Sequence, residues 1–169
     1  MPYFDSSGRP ILLGKVLGQG GEGIVYALAN QDEVAVKIYR NPIEDSRQRK
    51  IREMVQGCDD ALRQIAAWPT DTVHNGGSGG SMCGFTMPSV TGHPVHTLYS
   101  TKDRKRDLPG RYWDFLVRTA QNLAAALSTV HAHGHVIGDV NESLVLVEGD
   151  GTVKLVDCDS FQIEAAHLF

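Results

Sequence analysis

No run of 18 apolar residues occurs in this 169-residue chain, which excludes an ordinary membrane-spanning helix. Residues 1–9 lack both a basic flank and an apolar stretch, so no export signal is expected there. Cysteine is scarce: Cys58, Cys83 and Cys158 are odd in number and form no C-x-x-C pair. That usage suits a reducing compartment and predicts a cytoplasmic protein. Positive charge is not in excess either. Sixteen Lys and Arg against 20 Asp and Glu leave a net charge of −4, so nucleic acid is not the expected partner. Length, by contrast, is sufficient for one domain that buries roughly 70% of its unfolded surface. Glycine is plentiful, and its placement is the first informative feature.

Gly18-Gln19-Gly20-Gly21-Glu22-Gly23 precedes Ile24-Val25-Tyr26-Ala27-Leu28, and Val34-Ala35-Val36-Lys37 follows. Glycines admit a phosphate close to backbone N–H donors, and a lysine ammonium opposite supplies a mobile charge. A dinucleotide fingerprint needs a helix after its third glycine, whereas the β-branched and aromatic residues 24–28 read as a returning strand. A P-loop fails as well. Gly8 to Gly14-Lys15 has one residue too many, and Val16 stands where a Ser or Thr would bind magnesium. What remains is a β-hairpin lid over phosphates, with an ordinary glycine hairpin as the plain alternative.

Three strands are predicted at 11–17, 24–28 and 33–39, joined by turns at 18–23 and 30–32 into an antiparallel meander. From Pro42, charged residues around Ile51, Met54, Val55, Leu62 and Ile65 predict one or two amphipathic helices before Trp68-Pro69. The glycines and serines of 75–84 read as a surface connection between two short strands, and with no basic residue they are not expected to bind phosphate. Residues 102–111 are a mixed charge run expected to be a solvated segment.

Residues 112–133 carry the clearest helical pattern, with Phe115, Leu116, Leu123, Ala126, Leu127 and Val130 as a core-facing stripe and Gly134 as the stop. Beyond it, 144–147 and 153–156 flank Glu148-Gly149-Asp150-Gly151-Thr152, a hairpin signal. Asp139 precedes that hairpin and Asp157 follows it. Pairing the strands brings both carboxylates toward one end, as a base and a metal ligand. His131, His133 and His135 are not read as a zinc site, because Gly134 interrupts them and no fourth ligand is near. Cys158 reads as a small buried residue.

In chain order, the glycine loop, the strand lysine, a helix, Gly138-Asp139-Val140-Asn141 and Asp157-Cys158-Asp159 resemble the bacterial eukaryotic-like protein kinase family. Gly20-Gly21-Glu22-Gly23, Gly84-Phe85-Thr86-Met87-Pro88, His135-Val136-Ile137-Gly138 and Asp159-Ser160-Phe161-Gln162 add to the likeness, which covers nearly the whole chain. The resemblance implies an α+β kinase-like fold: an antiparallel-sheet N-lobe with one helix over 1–90, and a partial, mainly helical C-lobe over 91–169. It also implies phosphotransfer from Mg-ATP, bound between the lobes, to serine or threonine hydroxyls of a protein.

The roles follow residue by residue from that resemblance. Gly18, Gly20 and Gly23 would cover the phosphates, Val25 and Ala35 would sandwich the adenine, and Lys37 would engage the α- and β-phosphates. Glu53 is the implied ion-pair partner of Lys37, with Glu44 as competitor. Met87 to Val90 would form the adenine-reading hinge. Asp139 would orient and deprotonate the acceptor hydroxyl, and Asp157, with Asn141 as a further contact, would hold Mg2+.

Departures from the family pattern leave two other readings open. Leu144 stands where a second magnesium ligand is expected. Ile137-Gly138 replaces the usual His-Arg, which removes the arginine that would read a phosphorylated activation loop. The likeness also ends at Phe169, about a dozen residues past Asp157 and before any activation segment. One alternative is a pseudokinase, a nucleotide-binding scaffold acting through a regulatory protein partner or a homodimer that covers the short C-lobe. The other is a small-molecule kinase, since such enzymes also place Gly-Asp before a metal-binding Asp.

Overall fold

The computed structural model describes residues 2–76, 79–138 and 140–164. They divide into two compact units, one of 2–58 with 68–89 and the other of 59–67 with 90–164. The first unit is built on a seven-stranded antiparallel sheet: β1 (Tyr3–Asp5), β2 (Pro10–Ile11), β3 (Leu13–Gln19), β4 (Gly23–Leu28), β5 (Gln31–Tyr39), β6 (Asp71–Asn75) and β7 (Met82–Pro88). Their order across the sheet is β2-β1-β6-β7-β5-β4-β3. The expected meander is therefore present as β3-β4-β5. Its second turn is shorter than predicted, because Asn30 takes a left-handed backbone (φ 67°) that closes a two-residue loop and lets β5 begin at Gln31.

Alternation sorts this sheet into two faces. One face packs Val36 and Val73, both fully buried, with Ile11, Tyr3, Ile38 and Cys83. The other carries Val25, Ala27, Ala35, Lys37, Tyr39, Phe85 and Met87 through the cross-strand register. Gly84 fixes how closely β7 approaches β5, since a Cβ there would fall on the Lys37 carbonyl oxygen.

Between β5 and β6 the chain forms α1 (Asp45–Gln56), with Ile51 and Met54 buried. Fully buried Trp68 returns to its end, donating from Nε1 to the Met54 carbonyl at 2.9 Å. That bond satisfies one of the carbonyls every helix C-terminus leaves orphaned. The predicted open connection at 75–84 is shorter in the structure, because β7 already starts at Met82.

The second unit contains α2 (Asp60–Ile65), β8 (His93–Pro94), α3 (Thr101–Asp107), α4 (Trp113–Ala132), β9 (Val145–Val147) and β10 (Val153–Leu155), with 3-10 turns at Val95–Leu98 and Cys158–Ser160. Asp59 N-caps α2, its Oδ1 accepting the Leu62 N–H at 2.9 Å. The α2 segment is tied to β10 by the Ala67 N–H to Leu155 carbonyl bond (2.8 Å) and by Lys154 Nζ on the Gln64 carbonyl. Where a solvated charge run was expected, residues 101–107 are helical. Ser100 caps this helix by accepting the Asp103 N–H, and an Arg106–Asp103 pair at 3.0 Å supports its surface. The α4 helix stops as expected at Gly134, which is left-handed (φ 75°). No helix of the described residues is long and apolar enough to cross a membrane.

Candidate nucleotide site and its relatives

In the first unit the strand register lines up Gly18, Val25, Lys37 and Phe85 as directly opposed residues on β3, β4, β5 and β7. Two residues along, Ala27, Ala35 and Met87 form a parallel row. Opposed residues of antiparallel strands share a face, so the row of small and apolar groups floors the same face that carries the lysine. Lys37 is only 6% exposed. Its Nζ lies 5.5 Å from the centre of the Tyr39 ring and 5.9 Å from that of Phe85, and the two rings pack at 6.2 Å with a 56° tilt. Ring faces attract a cation, and here they steady the ammonium at a fixed height on the sheet.

The glycine loop closes with the Gly20 N–H on the Gly23 carbonyl at 2.9 Å. Its glycines have different reasons to be glycine. At Gly23 an added Cβ would meet the Ile38 carbonyl oxygen at 2.6 Å, so neighbouring backbone demands its absence. At Gly18, Gly20 and Gly21 an added Cβ meets nothing within 4 Å, and none of them is left-handed. Nothing within the described fold requires glycine at those three positions; a group approaching from outside the chain would.

Glu53 lies half-buried on α1, one residue before buried Met54, and its carbonyl accepts the Gly57 N–H. Glu44 is the exposed N-cap residue of the same helix. Met87 sits in β7 paired with Ala35, and the chain passes from the first unit to the second between Ser89 and Val90.

In the second unit the hairpin of β9 and β10 carries the acidic segments. Asp139 lies outside the described residues. The lead-in to it is held by a two-way bridge, Val136 N–H to Gln162 carbonyl (2.8 Å) and Gln162 N–H to Val136 carbonyl (2.7 Å). This brings Gly138 so close that a Cβ would meet the Ser160 carbonyl oxygen at 3.0 Å. The segment entering position 139 thus runs beside the one leaving Asp157. Asp157 is exposed and left-handed (φ 51°, ψ 37°), and its carbonyl accepts both the Ser160 N–H (3.0 Å) and the Ser160 hydroxyl (2.8 Å). Asn141 is exposed, with Oδ1 accepting the Ser143 N–H at 2.8 Å. Leu144 is 3% exposed and belongs to the interior at the start of β9; the next segment joins it through the Val156 N–H on its carbonyl. Cys158 is buried as expected, and Asp159 beside it is a buried carboxylate.

The histidines behave as structural groups. His133 Nδ1 faces the Thr129 carbonyl at 2.7 Å and Nε2 faces Asp59 Oδ2 at 2.9 Å. Two acceptors call for a proton on each nitrogen, so the Asp59 contact raises the His133 pKa above the usual imidazole value. His135, which accepts the Glu164 N–H, is lowered by burial first and by His133 second.

Compared with known proteins, the chain is 44% identical over 96% of its length to the protein kinase YegI of Escherichia coli strain K12 and 42% identical to that of strain O157:H7. The chain is kinase-like, similar to bacterial protein kinases. It spans about a quarter of the length of those curated relatives, 25% in each case. No protein-family model matches it. Its fold is similar to that of the ROP18 kinase domain solved with AMP-PNP and sucrose, with a TM-score of 0.63 at 18% identity, over 96% of this chain and 56% of that one. The kinase-like α+β architecture is thus established from both sequence and fold.

Sequence reasoning missed the aromatic support of the kinase-like lysine. Tyr39 is two residues beyond Lys37 on the same strand, and the period of two alone puts both side chains on one face. Arg40 and Arg47, which hold the glycine loop, left no such signal, since their partners lie 20 and 25 positions away.

Proposed function

We propose that this kinase-like chain contributes the nucleotide-binding part of a phosphotransferase that moves the γ-phosphoryl group of Mg-ATP to serine or threonine hydroxyls of a protein. The observation that carries the reading is the row of Gly18, Val25 and Lys37, with a steadied ammonium on one strand and three glycine positions open to an outside group. Gly18, Gly20 and Gly23 let the phosphates approach the loop backbone closely, and Lys37 neutralises the α- and β-phosphates. Val25, Ala35 and Met87 supply an apolar bed for adenine, and the segment from Met87 to Val90 is assigned to read it through backbone groups. Glu53 is assigned as the partner that orients Lys37. AMP-PNP, an ATP-type nucleotide, is what the ROP18 neighbour holds.

The acidic segments suit a hard cation. Asp157 is an exposed carboxylate and Asn141 an exposed amide, the oxygen-bearing groups a hard cation takes. Mg2+, when bound, would neutralise charge on the β- and γ-phosphates. Asp139 is assigned to orient the acceptor hydroxyl and take its proton as the new P–O bond forms and the bond from the γ-phosphorus to the departing ADP breaks. One observation favours a second reading, a nucleotide-binding regulatory scaffold: Leu144 is packed inside and offers no oxygen.

Calorimetric titration with ATP, with and without Mg2+, tests the proposal on the wild type, Lys37→Met and Asp157→Ala. Magnesium-dependent binding that weakens in Lys37→Met and loses its metal dependence in Asp157→Ala is the expected result. A folded wild type that takes up no ATP would overturn the nucleotide reading.

A further inference from the structure

We propose that Arg47 is a positioning residue for the glycine loop, whose ion pair with Glu22 ties the loop tip to the first turns of α1 and so tunes affinity for the phosphate end of a nucleotide. The proposal rests on the nucleotide reading above and adds a residue to it. Arg47 Nη2 meets Glu22 Oε1 at 3.0 Å, across 25 positions of sequence. The loop backbone is held separately from β5, by the Arg40 N–H on the Glu22 carbonyl (2.9 Å) and by Arg40 Nε on the Gly20 carbonyl (3.2 Å). Arg47 thus adds a link of a different kind, from the loop's side chain to a helix.

A surface cavity of about 390 Å³ is lined by Glu22, Tyr39, Ile43, Glu44, Ser46 and Arg47. Open space lies where the loop tip and the entrance of α1 face each other, and the ion pair bridges them at its edge. Arg47 is also aimed. Its guanidinium carbon lies 5.4 Å from the centre of the buried Tyr39 ring, the same ring that steadies Lys37 Nζ at 5.5 Å. A ring that holds the guanidinium plane reduces the freedom lost in making the pair. It also makes one side chain the common support of the loop-holding arginine and the phosphate-facing lysine.

Two consequences follow. Because α1 carries Glu53, a nucleotide that draws the loop toward its phosphates also biases α1, and a partner that shifts α1 biases the loop by the same factor. The size of the effect is modest, because the pair is partly open to water, with side-chain exposures of 36% for Arg47 and 58% for Glu22. Pairs of that kind change an equilibrium by about two- to five-fold and fade as salt screens them.

The test compares wild type, Arg47→Gln, Glu22→Gln and the double variant by titration with Mg-ATP and, separately, with adenosine, at low and high salt. Each single variant is expected to weaken ATP about two- to five-fold at low salt, leave adenosine unchanged and lose its effect at high salt. The double variant should be no worse than either single one. Additive losses, or equal losses for adenosine, would overturn the assignment. Amide hydrogen exchange of residues 20–23 in the nucleotide-free protein is read alongside, and both single variants should speed it. A folded wild type that binds no ATP overturns the nucleotide reading, whereas exchange unmoved by either substitution overturns the Glu22–Arg47 tie alone.

Discussion

Replacing Gly18 and Gly20 together by alanine separates the two reasons a chain can have for glycine. In the folded protein a methyl group at either position meets no atom within 4 Å, and neither backbone is left-handed. Alanine therefore fits the native conformation while restricting the unfolded chain, a gain of about 0.4–1 kcal/mol per site. For a chain of this size each kcal/mol moves Tm by about 2–4 °C, so the double variant should melt about 2–8 °C higher than the wild type. Nucleotide affinity should move the other way. If phosphates lie against this stretch of backbone, each methyl holds an oxygen away, and losing one charge-assisted hydrogen bond from the loop costs about 1.5–3 kcal/mol, about tenfold or more in Kd. Thermal melting and ATP calorimetry on the same preparation read both quantities. A stabilised double variant with unchanged ATP affinity would refute the phosphate role, and a lowered Tm would refute the claim that these positions face open space.

Two further outcomes are expected. Gly84→Ala puts a methyl on the Lys37 carbonyl oxygen and forces β5 and β7 apart, so it should cost about 1–3 kcal/mol or more, seen as a clear drop in Tm; a variant as stable as wild type would show that the strand spacing is not set there. The His133–Asp59 pair should also leave a pH signature. The raised pKa of His133 means that its contribution is fully present below pH 6.5 and is lost as pH rises through the folded value, while Asp59, lowered from 3.8, contributes above that value and loses its contribution on acidification. His135 is lowered, so its contribution has the opposite sense from His133, present above 6.5 and lost as pH falls. Asp59→Asn keeps the cap of α2 but not the charge, so the variant should be less stable than wild type at pH 5 and the gap should narrow toward pH 8; parallel curves would dismiss the pair.

Much of the site-bearing sheet was legible because its strands follow period two with β-branched residues, as in Ile24-Val25-Tyr26 and Val34-Ala35-Val36. The α4 helix and the β9–β10 hairpin were legible for the same kind of reason: a long apolar stripe ended by Gly134, and two Val/Leu runs around a glycine turn. Short elements escaped. With three and two residues, β1 and β2 are too brief to show a period, yet Tyr3 pairs with Asn75 and extends the sheet beyond β6. Residues 101–107 have no apolar stripe; a serine cap and ion pairs make them helical. The assignment of 59–67 to the second unit was also invisible, because it rests on contacts with β10 about 90 positions away.

Asp157 shows a trade between folding and chemistry at a single residue. Its left-handed backbone is one that glycine would occupy without strain and that most side chains occupy only at a cost. Two hydrogen bonds from Ser160 to its carbonyl hold that conformation. If Asp157 holds the metal as proposed, the cost of its left-handed backbone is carried for that role, and sequences free of the duty would be expected to drift toward glycine at this position.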